Sequence, residues 1–152
     1  MSGRHSSGTR WLAAIRRYLV MVAVGNLVWE TAQLPLYTLW RIGSARAIAR
    51  AILHCTAGDV VIATLALIIA IATVGTTRWP DERALVVAIA VVAIGVGYTI
   101  GSEYVNMAVR RSWSYDEWMP TLPWLGTGVA PLAQWLAVPT FALTAAQRAA
   151  HR

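Results

Sequence analysis

Apolar residues run along this chain in four long blocks, at about 18–40, 51–76, 84–109 and 122–146, and most charged residues collect between them. Each block is long enough to cross ~30 Å of hydrocarbon at about 1.5 Å of rise per residue. The pattern predicts an all-α integral membrane protein, a four transmembrane helix bundle formed by a single domain over residues 1–152. The Ser/Gly-rich residues 1–9 are expected to be disordered. Trp79-Pro80-Asp81-Glu82 reads as a tight turn into the third block, with Asp81 and Glu82 favourable at that helix's N-terminus. Trp40, Trp79, Trp113, Trp118 and Trp124 fall at predicted ends, where an aromatic belt would sit.

The polar positions inside the blocks follow helical spacing. In the first block Asn26, Glu30, Gln33 and Tyr37 recur at i, i+4, i+7 and i+11, one stripe of a helix. In the third, Gly95, Thr99, Ser102, Glu103, Asn106 and Arg110 form another. In the second, Cys55 and Asp59 share a face, while His54 lies about 140° from Asp59 at about 100° per residue. Gln134 stands between Pro131 and Pro139 in the fourth, where the prolines predict a kinked helix. At the helical rise Glu30, Asp59 and Glu103 lie roughly 15, 12 and 9 Å below the ends of their blocks, with His54 shallower and Gln134 near the level of Glu30. The opposite half of each block is nearly pure Ala, Val, Leu and Ile. An ionisable group in hydrocarbon costs roughly 2.5 kcal/mol or more, so four helices offering polar groups at one level predict a wet cavity open to one membrane face.

Composition agrees with a membrane setting. The chain is 57% hydrophobic and 13% charged, about half the charge of an ordinary soluble domain. A net charge of +6 raises the question of nucleic acid. The basic residues are all Arg, however, and they flank the apolar blocks, where they suit the positive-inside bias and anionic headgroups; no nucleic-acid partner is expected beside the lipid bilayer. Arg4, Arg10, Arg16, Arg17, Arg78, Arg83, Arg148 and Arg152 fall on one side, against Arg41, Arg46, Arg50, Arg110 and Arg111 on the other. This imbalance predicts a multi-pass protein of a bacterial-type inner (plasma) membrane with both termini in the cytoplasm. The single Cys55 excludes an internal disulfide and a CxxC motif. The first block is too long and too polar at its centre for a signal peptide, and no small-residue cleavage site follows it, so it is expected to remain a helix.

Glu30, His54, Asp59 and Glu103 are the candidate catalytic residues. Asn26, Gln33, Tyr37, Tyr98, Asn106, Trp113, Tyr115 and Gln134 are the candidate substrate-binding residues. A buried Glu30 without a cation suits a general acid, a base or a proton carrier; its structural alternative is a polar clasp between helices. His54 suits a base, a proton shuttle or a metal ligand, or simply reaches to water at the interface. For Asp59 the alternative is an ion pair with an arginine such as Arg110 or Arg50, and for Glu103 an ion pair with the following Arg110-Arg111. Cys55 reads as a small buried hydrophobe, Gly58 as a point of close approach, and Gly97-x-x-x-Gly101 as helix packing. Pro35 predicts a kink above Glu30. The loop over 112–123, with Trp113, Tyr115, Trp118, Met119, Pro120 and Pro123, either lies on the headgroups or forms a lid whose aromatics meet an apolar ligand.

Together these features point to a multi-pass membrane protein with an intramembrane polar cavity. That cavity binds, or acts by acid–base chemistry on, a lipid-like or small apolar substrate. The Gln33-Leu34-Pro35-Leu36-Tyr37 stretch, beside His and Glu within a small bundle, resembles the sterol-isomerase type of membrane fold over that handful of residues, and the resemblance assigns no residue a role. A first alternative is a non-catalytic membrane subunit or assembly factor, in a homo- or hetero-oligomer, whose polar residues lock partner helices. A second is a metal site made of Glu30, His54, Asp59 and Glu103, hard ligands suited to iron, manganese or zinc but short of the paired Glu-x-x-His of helical di-iron sites. The sequence specifies no cofactor. Four spans without repeated halves are too few for the common inverted-repeat transporters. Serine-nucleophile, P-loop and dinucleotide motifs are absent, so soluble-type chemistry is not expected.

Overall fold

Ser44 and Gly75 set the limits of the helix that carries Asp59. In the computed structural model, which describes residues 3–151 and side chains from residue 8 onward, the elements run in order. They are α1 (Gly3–Gln33), a 3₁₀ turn (Leu34–Leu36), α2 (Leu39–Ile42), α3 (Ala45–Val74), α4 (Ala84–Tyr104) with a π turn (Val105–Val109), and α5 (Val129–Ala150). The Ser44 hydroxyl accepts from the Ala47 N–H at 3.3 Å and so caps the start of α3. Gly75 takes the left-handed conformation (φ 69°) that closes its end. The described residues form no strand, only isolated bridges pairing Tyr37 with Tyr115 and Thr121 with Gly128.

Four helical segments are long and apolar enough to cross a membrane: Gly8–Leu36, Ala45–Val74, Ala84–Val109 and Val129–Ala150. Their outward faces expose Val28, Leu53, Ile68, Leu85 and Phe141, which water would not tolerate in such density but lipid does. The chain is a four-helix, multi-pass membrane bundle.

Several boundaries differ from the sequence expectation, each for a local reason. Residues 3–9 continue the first helix instead of forming a disordered tail, and residues 1 and 2 lie outside the described residues. The first span does not run on to Trp40. Pro35 has no N–H to continue the ladder, and the chain tightens into the Leu34–Leu36 turn before Tyr37 becomes extended (φ −114°, ψ 145°). The second begins at Ala45, earlier than residue 51, because Ser44 supplies the cap. The fourth begins at Val129 and ends at Ala150, later at both ends than 122–146. Leu122 to Gly126 instead fold as a turn, closed by the Gly126 N–H on the Leu122 carbonyl at 2.9 Å. Asp81 and Glu82 fall outside the first turn of α4, whose N-cap is Arg83 in the left-handed region (φ 52°). Arg83 itself donates to the Val74 carbonyl at 2.7 Å and places a cation at the C-terminus of α3.

The long helices form a closed ring in which α1 touches α3 and α5, and α4 touches the same two. Small residues let one half of the ring pack closely: Ala14 and Val22 of α1, Ala63, Ala66 and Ala70 of α3, Val87 and Val91 of α4, and Ala142 and Ala146 of α5 are buried there. The Tyr18 hydroxyl, buried in this half, donates to the Ala63 carbonyl at 3.0 Å. Higher up, the Trp135 ring lies against the backbone of α4. A Cβ on Gly95 would stand 1.9 Å from Trp135 Cε3, so only glycine fits. Close approach thus falls at Gly95, and at Gly25 against Val138. The expected packing positions Gly97, Gly101 and Gly58 have open space where a Cβ would stand.

Candidate functional site

The polar stripe of α1 faces inward and meets polar groups from α3 and α5. Asn26, Glu30, Gln33 and Gln134 are all buried. From one amide nitrogen Gln134 reaches Asn26 Oδ1 at 2.9 Å, Glu30 Oε1 at 3.0 Å and Asp59 Oδ2 at 2.9 Å. Two N–H bonds are thus shared among three acceptors. The Glu30 and Asp59 carboxyl groups thus share one donor, their oxygens 3.0 and 2.9 Å from the same nitrogen. Gln33 Nε2 donates to Glu30 Oε1 at 2.9 Å and to Gln134 Oε1 at 3.1 Å. Gln33 Oε1 is buried with no hydrogen-bond partner. Asn26 anchors the inner end by donating to the Val22 carbonyl at 2.9 Å.

A cavity of about 360 Å³ opens beside this network. Glu30, Gln33 and Gln134 line it together with Asp59 and, on the α4 side, Glu103 and Asn106. Tyr37 and Trp113 form part of its wall, and His54 and Tyr98 reach it from the exposed surface of α3 and α4. Of the predicted site residues, two stand outside the lining. Asn26 lies among the groups held by Gln134, and Tyr115 stands behind Glu103. The structure adds Thr99, Ser102 and Arg110 to the wall, all on the α4 stripe that the spacing had marked. It also adds Trp135, next to Gln134 in sequence, whose place depends on Gly95 across the bundle and leaves no sequence pattern.

Glu103 is held by the loop over 112–123. The Tyr115 hydroxyl donates to Glu103 Oε2 and accepts from the Gly128 N–H at 2.8 Å, so one phenol joins α4 to the start of α5. Burial, then the bond to Glu103, pushes the Tyr115 phenol above its ordinary value, which keeps it a donor. The Trp113 indole N–H is buried beside Glu103 without a hydrogen bond of normal geometry. The Tyr37 ring meets that of Tyr115 edge-on at 5.4 Å. Backbone bonds from Thr38 N–H to the Ser114 carbonyl (3.1 Å) and from Asp116 N–H to the Leu36 carbonyl (2.9 Å) fix the loop over the end of α1. Arg41 then clamps it through Asp116 at 2.8 Å and Glu117 at 3.0 Å, and these carboxylates raise the Arg41 guanidinium above its ordinary value.

The expected arginine partners do not appear. Among the described residues, no ion pair includes Glu30, Asp59 or Glu103; glutamine and tyrosine bind them instead. Nor do the described residues gather three His, Cys, Asp or Glu side chains in an arrangement that could hold a metal ion. Glu30 and Asp59 share the Gln134 amide, Glu103 turns to Tyr115, and His54 is exposed, so the four-ligand alternative has no common centre.

Fold and site together define a multi-pass membrane bundle with a polar cavity among its helices. Compared with protein-family models, with curated proteins and with solved structures, the chain finds no match.

Proposed function

We propose that this protein binds a lipid-like or small apolar molecule in the cavity and acts on it by acid–base chemistry. The observation that carries the reading is the convergence of Glu30 and Asp59 on one Gln134 nitrogen at the wall of a cavity of about 360 Å³, with no cation among their bonded partners. Two carboxyl groups held on one donor at the cavity wall can serve a bound molecule as acid and base. Gln134 orients both acids, as a positioning residue does in a preorganised site. Glu103, Asn106, Tyr37 and Trp113 offer polar and aromatic contacts to the bound molecule, and His54 reaches the cavity from the exposed surface of α3. By the arginine imbalance both termini face the cytoplasm of a bacterial-type inner membrane, and the cavity then lies in the outer half.

A role in locking partner helices has less support. Polar side chains that clasp a foreign helix face outward, whereas Glu30, Gln33 and Gln134 satisfy one another inside the ring. The test is to purify full-length protein in lipid nanodiscs and identify retained small molecules by native mass spectrometry. Wild type should retain a lipid-like molecule at fixed stoichiometry, and Glu30→Gln or Asp59→Asn should shift the retained species from product towards unreacted substrate. A retained set no different from bulk nanodisc lipid in all three proteins would overturn the reading.

A further inference from the structure

A second opening adjoins the cavity. It is a slot of about 350 Å³ between α3 and α4, lined by His54, Ala57, Gly58, Val61, Ile62 and Tyr98. Four of these, His54, Gly58, Ile62 and Tyr98, also line the polar cavity, so slot and cavity lie side by side along these residues. The slot faces away from the ring, with Val61 57% and Tyr98 51% exposed. Its α3 and α4 walls belong to the spanning segments Ala45–Val74 and Ala84–Val109, so the outward face meets lipid tails. The space at Gly58 is open, since a Cβ there would meet nothing within 4 Å.

The cavity holds an unmade hydrogen bond. Gln33 is only 6% exposed, lines the wall, and its Oε1 has no partner. A buried amide oxygen of this kind calls for a donor. Carboxyl groups of Glu30, Asp59 and Glu103 share the same cavity and disfavour an anionic head.

We propose that the slot between α3 and α4 is a lateral doorway and tail groove. Through it the cavity takes a single-chain amphiphile from the bilayer, whose head donates a hydrogen bond to Gln33 as a hydroxyl does. The inference rests on the cavity being a site for lipid-like molecules, and adds the route of entry and the head chemistry. The side chains of Ala57, Val61 and Ile62 offer only hydrocarbon to a chain lying in the slot, which fixes the tail end as apolar.

Photolabelling tests this in full-length protein reconstituted in nanodiscs, with a long-chain alcohol that carries a diazirine on its tail. Saturable labelling is expected on residues 57–62 of α3 and on Tyr98. Gly58→Leu, a change that favours the helix, should lower it about tenfold or more, roughly what excluding two methylenes costs. Gly101→Leu, equally open but lining neither space, should leave it unchanged. The methyl ether of the same alcohol, which lacks the donor, should label several-fold less. Equal labelling by ether and alcohol would overturn the head assignment. Labelling in Gly58→Leu that persists at full strength on cavity residues such as Trp113 would overturn the doorway and leave the cavity reading intact. No saturable labelling of wild type would overturn both.

Discussion

Gln134 and Asp59 lie 75 residues apart, on helices that face each other diagonally across the ring, and their side chains meet at 2.9 Å. The amide therefore crosses the bundle interior, and on its way it also binds Asn26 and Glu30 of α1. One side chain links three helices at the level where the small-residue packing gives way to the cavity.

Replacing that amide tests how far the network holds the bundle together. In Gln134→Leu, Asn26, Glu30 and Asp59 lose their common donor without gaining another. Each buried polar group left unsatisfied costs about 1–3 kcal/mol. A clear fall in the melting temperature in mild detergent is expected, larger than that of the nearby Leu136→Ala, whose side chain is 56% exposed. A Gln134→Leu protein as stable as wild type would show that the bonds contribute nothing net.

Gly95 and its neighbours on α4 give a prediction of opposite signs on two faces of one helix. Gly95→Ala drives a Cβ into the Trp135 ring and should destabilise by ~1–3 kcal/mol, the range for an overfilled core. Gly97→Ala and Gly101→Ala place their methyls in open space, where the change from glycine favours the helix by roughly up to 1 kcal/mol. Thermal unfolding of the three variants checks the order, and a Gly95→Ala protein that melts with the other two would contradict the packing described.

The helical class and most of the cavity wall were legible in the sequence because both follow from periodicity. The Asn26, Glu30, Gln33 stripe and the Thr99, Ser102, Glu103 stripe each turned a spacing into a face, and both faces line or underlie the cavity. What each acid bonds to was not legible, because partner choice is a three-dimensional matter. Arginines were the chemically obvious partners for Asp59 and Glu103, yet Gln134 and Tyr115 occupy those places. The packing glycine was misassigned for a related reason: the i, i+4 pair Gly97 and Gly101 fits the small-residue pattern, but the bulk that demands a glycine is Trp135, opposite Gly95. Boundaries failed where hydropathy carried on past a turn. Leu122, Trp124 and Leu125 are apolar enough to continue a span, but Pro123 and Gly126, at φ 65°, turn the chain.

The loop over 112–123 gives an ionic-strength prediction. Arg41 holds Asp116 and Glu117 from an exposed position, so the clamp is open to screening by salt. Arg41→Ala should raise amide hydrogen exchange across 112–119 relative to α5. Wild type should approach that behaviour in high salt, while the mutant itself should change little with salt. If both proteins exchange alike at every salt concentration, the backbone bonds from Thr38 and Asp116 hold the loop without the clamp.

Tyr115 makes the attachment of this loop sensitive to alkali. Its phenol lies above the ordinary value, first through burial and then through the bond to Glu103, so folding favours the neutral form. The stability this contributes is fully present below the unfolded phenol value of about 10 and is lost as pH rises past it towards the folded value. Above that point an ionised Tyr115 would face Glu103 with no proton to donate, and the Gly128 N–H bond alone would remain. Tyr115→Phe lacks both bonds at every pH. The variant should therefore melt below wild type at neutral pH, and the gap between the two melting curves should narrow as pH is raised from about 9 towards 11. A gap that stays constant over that range would mean the phenol does not titrate against the fold, and the Tyr115–Glu103 bond would lose its place in holding the loop.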